Sequence, residues 1–362
     1  MEDEIFALLR LGLGNSKPEQ ENLSNYIMLS AEQWTQMGDF AQEQGVLGIM
    51  LDGIDCLETT GYGVTRNLSK EQKIEWIGNV LNGYEARNLH QLAVINDLQT
   101  QWAKVGLRML VIKGQAIGTY YPVPKHRAPG DIDCYLFNGY AKGNELAKRW
   151  ADNVDEGWYK HSVISYKGET IENHQFFAHT REGKRSKLLN QLLCKLLDNV
   201  NYVQLPGTNA LLPPAMFNAV FLTYHAMSHF LEEGLRLKQL IDWAVFLKHF
   251  GGIIDWPEFY RICKEFHLHR FADVATDIAV HHLGVEINNP QITPSSPYTE
   301  KVIESVFNDK DFVFNSGKSK WSNRWHIVTN LFKYRWKYNL IYEESIIKQL
   351  WWYVVGFINK SE

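Results

Sequence analysis

Apolar residues recur at three-and-four spacing through the first hundred positions: in EIFALLRLGLG, in AEQWTQMGDFAQEQGVLGIMLDGI, and in a long segment from Ser69 to about Val105. That period predicts helices with one buried face. Ser69-Lys70-Glu71-Gln72 has the capping-box form, in which serine and glutamine satisfy orphan N–H groups reciprocally. Gly106 marks the switch to strand spacing. LRMLVI and DIDCYLF predict two strands, AKGNELAKRWADN a helix, and HSVISYKGETIENHQFF a hairpin turning at Lys167-Gly168. From Pro213-Pro214 the helical period returns. AMFNAVFLTYHAMSHFLEEGLRLKQLIDWAVFLKHF predicts two helices broken near Gly234, and DWPEFYRICKEFHLHRFADVATDIAVHHLG two more. Pro290 to Pro297 reads as a linker-like loop before further helices. The expected class is α+β: a small mixed β-sheet core in residues 106–200, embedded between mainly helical regions at 1–105 and 201–362.

The strand–turn–strand stretch MLVIKGQAIGTYYPVPKHRAPGDIDCYLF, Met109 to Phe137, concentrates the chemistry. Its second strand opens Gly130-Asp131-Ile132-Asp133. Strand side chains alternate faces, so Asp131 and Asp133 point the same way, about 7 Å apart, and make a site for hard divalent cations. Lys113-Gly114 precedes a short helix, a place where backbone N–H groups, helix dipole and an amine suit a triphosphate. Arg127, in the following loop, is either a phosphate clamp or an exposed loop residue. In Thr170-Ile171-Glu172-Asn173-His174, Glu172 and His174 share one face opposite Ile171, so a neighbouring strand would bring Glu172 beside the aspartates. A solvated hairpin acid is the plainer alternative. Three carboxylates suit two-metal chemistry at a phosphoryl group, with Glu172 completing a metal shell or accepting the acceptor's proton.

The apolar strand with Lys113-Gly114, then Tyr121-Pro122, Arg127, Gly130-Asp131-Ile132-Asp133 and Glu172-x-His174, resembles the uncharacterised bacterial nucleotidyltransferase family of the polymerase-β-like superfamily. The flanking helices extend the resemblance through most of the chain, and the central motif is its specific part. The resemblance implies paired metal-binding aspartates, Asp131 and Asp133, with Glu172 as the third acid on a later strand. It also implies transfer of a nucleoside monophosphate from a nucleoside triphosphate, ATP among them, with Mg2+ or Mn2+ and release of pyrophosphate. The superfamily usually opens with Gly-Ser where this chain has Lys113-Gly114. Lysine holds a phosphate as a point charge where a serine hydroxyl would hydrogen-bond it. The same resemblance covers HAMSHFLEEGLRLKQLIDW and implies that His229, Arg236 and Asp242 face the cleft, with His174 and His225 as further candidates.

Two rivals remain at this level. One is a non-catalytic nucleotide-binding or interaction protein that kept the fold. The other is a metal hydrolase centred on His225, His229 and Asp242, although no glutamate lies between the histidines as a zinc protease requires. The aromatic and basic residues of WSNRWHIVTNLFKYRWKYNLIYEESIIKQLWWYVVGFINK fit a single-strand nucleic-acid platform, a membrane-surface helix or simple packing.

Composition narrows the partners. A net charge of −4 argues against a nucleic-acid partner bound through bulk electrostatics. The acidic start MEDEIFALLRLGLG is unlike a signal peptide, and no apolar run approaches the ~20 residues of a membrane span, so the expectation is a cytoplasmic protein. Cys56, Cys134, Cys194 and Cys263 form no C-x-x-C pair and read as reduced thiols. The expected partners are a nucleoside triphosphate and an acceptor hydroxyl or amine on a small molecule or a protein.

Overall fold

Helix boundaries follow local chemistry. The computed structural model describes residues 1–232, 234–287, 289, 295–308 and 335–341. Helix α1 (Glu2–Gly12) carries three acids in its first turn and Arg10 in its last, matching the helix dipole. After the short α2 (Leu23–Ile27), Ser30 caps α3 (Ala31–Glu43) with a complete capping box, Gln33 N to Ser30 Oγ at 3.2 Å and Ser30 N to Gln33 Oε1 at 2.9 Å. The apolar period running on from α3 is interrupted at Gly45, whose φ of +69° ends one helix before α4 (Leu47–Glu58) begins.

The segment from Ser69 is α5 (Lys70–Asn79), a π-helical stretch (Val80–Glu85) and α6 (Ala86–Ala103). Its expected capping box is half made. Ser69 accepts from Gln72 N, but the Gln72 side chain turns to Thr35 Oγ1 at 2.8 Å, because packing against α3 offers it a tertiary partner.

Five strands follow: β1 (Leu110–Val111), β2 (Ile132–Tyr135), β3 (Asn153–Asp155), β4 (His161–Tyr166) and β5 (Glu169–His174), in the order β1-β2-β5-β4-β3. β2 and β5 run parallel; the other neighbours are antiparallel. The sheet is therefore mixed and the class α+β, as expected. Two details differ. Only Leu110–Val111 of LRMLVI joins the ladder, since Met109 N is taken by Gln99 Oε1 and the other side of β1 by Leu211. β3 was absent from the periodicity: AKGNELAKRWADN is helical only in α8 (Tyr140–Ala147), and from Asp152, whose N–H bonds Ser165 O, it joins the sheet. Short α7 (Gln115–Gly118) links β1 to β2.

Beyond α9 (Lys184–Lys195), the helices are α10 (Ala215–Glu232), α11 (Leu237–Phe250), α12 (Trp256–Glu265), α13 (His269–Asp277), α14 (Thr299–Asn308) and α15 (Arg335–Ile341). Most of the linker-like stretch after Pro290 and all of the aromatic–basic C-terminal segment except α15 lie outside the described residues. All four cysteines are free thiols. Among the described residues, no helix is long and apolar enough to cross a membrane.

The sheet separates two apolar layers. Its back face, with Val111, Ile132, Cys134, Ile164 and Ile171, packs with Val94, Ile95, Leu98 and Trp102 of α6. On the front, Tyr135 meets Phe177, which packs on Phe217 and Phe221 of α10 at ring separations of 4.6, 5.0 and 5.9 Å. That aromatic wall seats α10 over one end of the front face and leaves polar positions beside it.

Candidate active site

Strand register builds the site. Asp133 is the Cα partner of Glu172, and Tyr135 of His174, across the parallel β2–β5 pair. On β4, Val163 pairs with Glu172 and His161 with His174. Paired residues share a face, so Asp133, Glu172, His174 and His161 all stand on the front, opposite the apolar Ile132, Cys134 and Ile171. Asp131 precedes β2 by one residue, at the exposed entrance to the same face.

Charge is crowded there. The buried Asp133 Oδ1 lies 2.5 Å from Lys113 Nζ and 2.9 Å from His174 Nε2. Burial alone would raise this carboxyl, but Lys113 and His174 hold it well below the usual carboxylate range. Asp131 is shifted upward, first by partial burial of its carboxyl and then by the like charges of Glu172 and Asp133. Glu172 lies 3.3 Å from His174 Nε2 and 3.4 Å from His161 Nε2. Burial brings His161 down to about 4, against the opposing pull of Glu172. Lys113 Nζ also donates to His225 Nε2 at 2.8 Å; burial, then Lys113 and His229, keep that imidazole neutral. The rings of His225 and His229 stack at 4.5 Å.

Two more amines border the acids. Lys160, just before β4, is lowered by burial and by Lys113. Lys238, in the first turn of α11, is brought down to about 7 by burial and Arg127, and its Nζ lies 3.7 Å from where a Cβ on Gly130 would stand. Asp131 and Asp133 at the start of β2, Glu172 on the neighbouring strand and the amines of Lys113, Lys160 and Lys238 thus share one polar region.

A profile of the family described as uncharacterised nucleotidyltransferase matches residues 30–284. The chain belongs to that nucleotidyltransferase family. The match spans the whole sheet and every site residue named above, and nucleotidyl transfer is the general activity that the membership carries. No curated protein and no solved structure matches the chain.

In this nucleotidyltransferase, α6 holds the loops that carry the motif. Arg87 Nη2 and Gln91 Nε2 both donate to Gly130 O, at 3.2 and 2.7 Å, and both also bind the buried Glu169 of β5. Asn88 Nδ2 donates to the carbonyls of Lys125 and Arg127, and Gln115 Nε2 ties α7 to Asn88 and Gln91. Gly114, with φ +48° and ψ −111°, adopts a conformation that side-chain-bearing residues disfavour. These α6 residues escaped the sequence reading. Their spacing is that of a polar helical face, which in sequence looks the same whether it meets water or a buried loop.

Arg127 is placed differently from the expected phosphate clamp. It is buried, with Nε and Nη2 each 2.8 Å from the two Asp242 oxygens, and Tyr121 OH donates to Asp242 Oδ1 at 2.6 Å. The bidentate pair fastens the YYPVPKHRAPG loop to α11, which uses both groups structurally. Both Asp242 oxygens are thereby engaged, and among the described residues the donor atoms that come together are those of His161, Glu172 and His174, not those of His225, His229 and Asp242. Arg236, expected in the cleft, is exposed at the start of α11. Lys160 and Lys238 carry no signal in local spacing and reach the carboxylates only in the fold, whereas the Lys167-Gly168 turn already sets His161 opposite His174.

Proposed function

We propose that this nucleotidyltransferase moves a nucleoside monophosphate from a nucleoside triphosphate to an acceptor hydroxyl or amine, with release of pyrophosphate. The observation that carries the reading is the pairing of Asp133 with Glu172 across parallel strands, with Asp131 at the same strand start. The upward shift of Asp131 between two like charges fits a divalent cation, which would relieve that repulsion. Asp131 and Asp133, with Glu172, would hold Mg2+ or Mn2+. Such an ion polarises a phosphoryl oxygen and offsets charge developing on the leaving group.

The chain's own groups supply the rest. Lys113 stands at the Gly114 turn, where the missing Cβ lets the backbone approach a phosphate, and its amine exchanges Asp133 for a phosphate oxygen. Lys160 and Lys238, whose amines burial holds below the usual lysine range, would be drawn to their charged form by an anionic phosphate beside them. Glu172, between two histidines, would also accept the acceptor's proton. Aspartate pairs that bind catalytic ions should be indispensable. Incubating the protein and cell extract with α-labelled nucleoside triphosphates and Mg2+ or Mn2+ should label an acceptor. Asp131→Asn and Asp133→Asn should each lower labelling by at least ~100-fold while remaining folded. Full labelling by either folded variant would refute the assignment.

A further inference from the structure

The front of the sheet carries a donor set besides the acidic pair. His161 and His174 are Cα partners on β4 and β5, and Glu172 stands two residues before His174 on the same face. One donor atom from each of the three lies within 4.8 Å of the others. His174 Nε2 is 3.3 Å from one Glu172 oxygen, and His161 Nε2 is 3.4 Å from the other. An ion about 2.1 Å from each donor needs donor separations of about 3.0 Å at right angles and about 3.4 Å in a tetrahedron. Each histidine already stands at that distance from one oxygen of the carboxylate, His174 from one and His161 from the other.

The outer contacts suit ligation too. His174 Nδ1 faces the carbonyl of Phe176 at 3.3 Å. A carbonyl only accepts, so Nδ1 keeps its proton there, and Nε2, which faces Asp133 Oδ1 at 2.9 Å, would give up the proton it donates to that carboxylate when an ion takes its lone pair. A backbone carbonyl on the far nitrogen is the usual support of a metal-bound imidazole. His161 is half-buried, and its Nδ1 is buried without a hydrogen-bond partner, so its polar engagement is through Nε2 alone, toward Glu172.

We propose that His161, Glu172 and His174 form a two-histidine, one-carboxylate site for a first-row transition-metal ion of the Zn2+ or Co2+ class. Imidazole nitrogens favour such ions, whereas Mg2+ keeps to oxygen ligands and gives up its water reluctantly. The proposal deepens the reading above, since Glu172 belongs to both donor sets; Asp131 and Asp133 remain the oxygen-rich site for a hard ion.

The test needs no nucleotide. The full chain is dialysed against Zn2+ or Mg2+, bound metal is counted, and the zinc-loaded protein is measured by X-ray absorption. One Zn2+ per chain should bind at least ~100-fold more tightly than Mg2+. The fine structure should show two imidazole rings and one carboxylate at about 2.0–2.2 Å. His161→Gln and His174→Gln should each remove one imidazole from the spectrum and weaken Zn2+ binding at least ~10-fold. Equal affinity for the two ions, or a wild-type spectrum with fewer than two imidazoles, would overturn the site, and neither measurement depends on a variant folding. Zinc bound identically in both variants would overturn it as well, by placing the ion elsewhere, for example at His225 and His229. Labelling by the wild type that depends on Asp131 and Asp133 would survive any of these failures, so the two readings can fall separately.

Discussion

Arg127 closes its guanidinium on Asp242 instead of opening it to solvent, and that one contact decides its role. Both partners are buried, so the pair is costly to break from one side: the survivor is left as an uncompensated charge. Arg127→Met should destabilise the protein by about 3–5 kcal/mol in urea unfolding. Adding Asp242→Leu should recover much of the loss, and Arg127→Lys should not, because an amine cannot reproduce the two-pronged contact. If Arg127→Met kept wild-type stability but lost triphosphate affinity, the arginine would be a phosphate ligand after all. The acids contrast with it. Asp131, Asp133, Glu172 and His174 were legible because a strand's two-residue period assigns their face without further information. Which cation would answer each acid was not legible, since Lys113, Lys160 and Lys238 arrive from three separate elements.

At the level of elements, the β4–β5 hairpin carries the geometry of the site. Lys167 and Gly168 both have positive φ, +52° and +78°, as a tight two-residue turn demands. That turn sets a six-pair register from Tyr166–Glu169 to His161–His174. A slip of one residue would send Glu172 to the back face and Ile171 to the front. A Cβ on Gly168 would have open space within 4 Å, so a side chain there would act through backbone strain alone. Gly168→Val should therefore cost about 1–2 kcal/mol in denaturant unfolding. A loss within experimental error would mean that cross-strand packing, not the turn, holds the register. The hairpin was readable from alternation plus Lys-Gly. β3 was not, because Asn153–Asp155 is too short to show a period and exists through pairing with β4.

Across the whole molecule, the chain's beginning packs against elements far along it. Helix α1 crosses α4 so closely that a Cβ on Gly12 would strike Ile49 O, and one on Gly53 would strike Leu8 O. Arg10 Nη1 donates to His282 O and Asn15 Nδ2 to Leu283 O, at 3.0 and 2.6 Å, and Lys248 Nζ reaches Leu13 O at 2.8 Å. One apolar cluster includes residues of α1, α4, α10, α11 and α13 together with Tyr135 of the sheet. Gly53→Ala should force α1 and α4 apart and lower stability by about 1–3 kcal/mol. The loss should appear in a single unfolding transition, with helical and aromatic circular dichroism changing together. A separate early transition would show α1 detaching on its own.

Periodicity by itself determined the helical flanks, the central mixed sheet, the turn at Lys167-Gly168 and the shared face of Asp133 with Asp131 and of Glu172 with His174. Those are local consequences of 3.6- and 2-residue repeats and of which residues tolerate a turn. The tertiary structure alone decided that β2 lies beside β5, which sets Asp133 against Glu172. It also brought Lys238 to Gly130 and Asp242 to Arg127, and laid a polar stripe of α6 over the motif loops. Pairings between residues tens to more than a hundred positions apart leave no trace in local spacing. They follow from how apolar faces find one another, and the polar groups carried along meet only once that packing is complete.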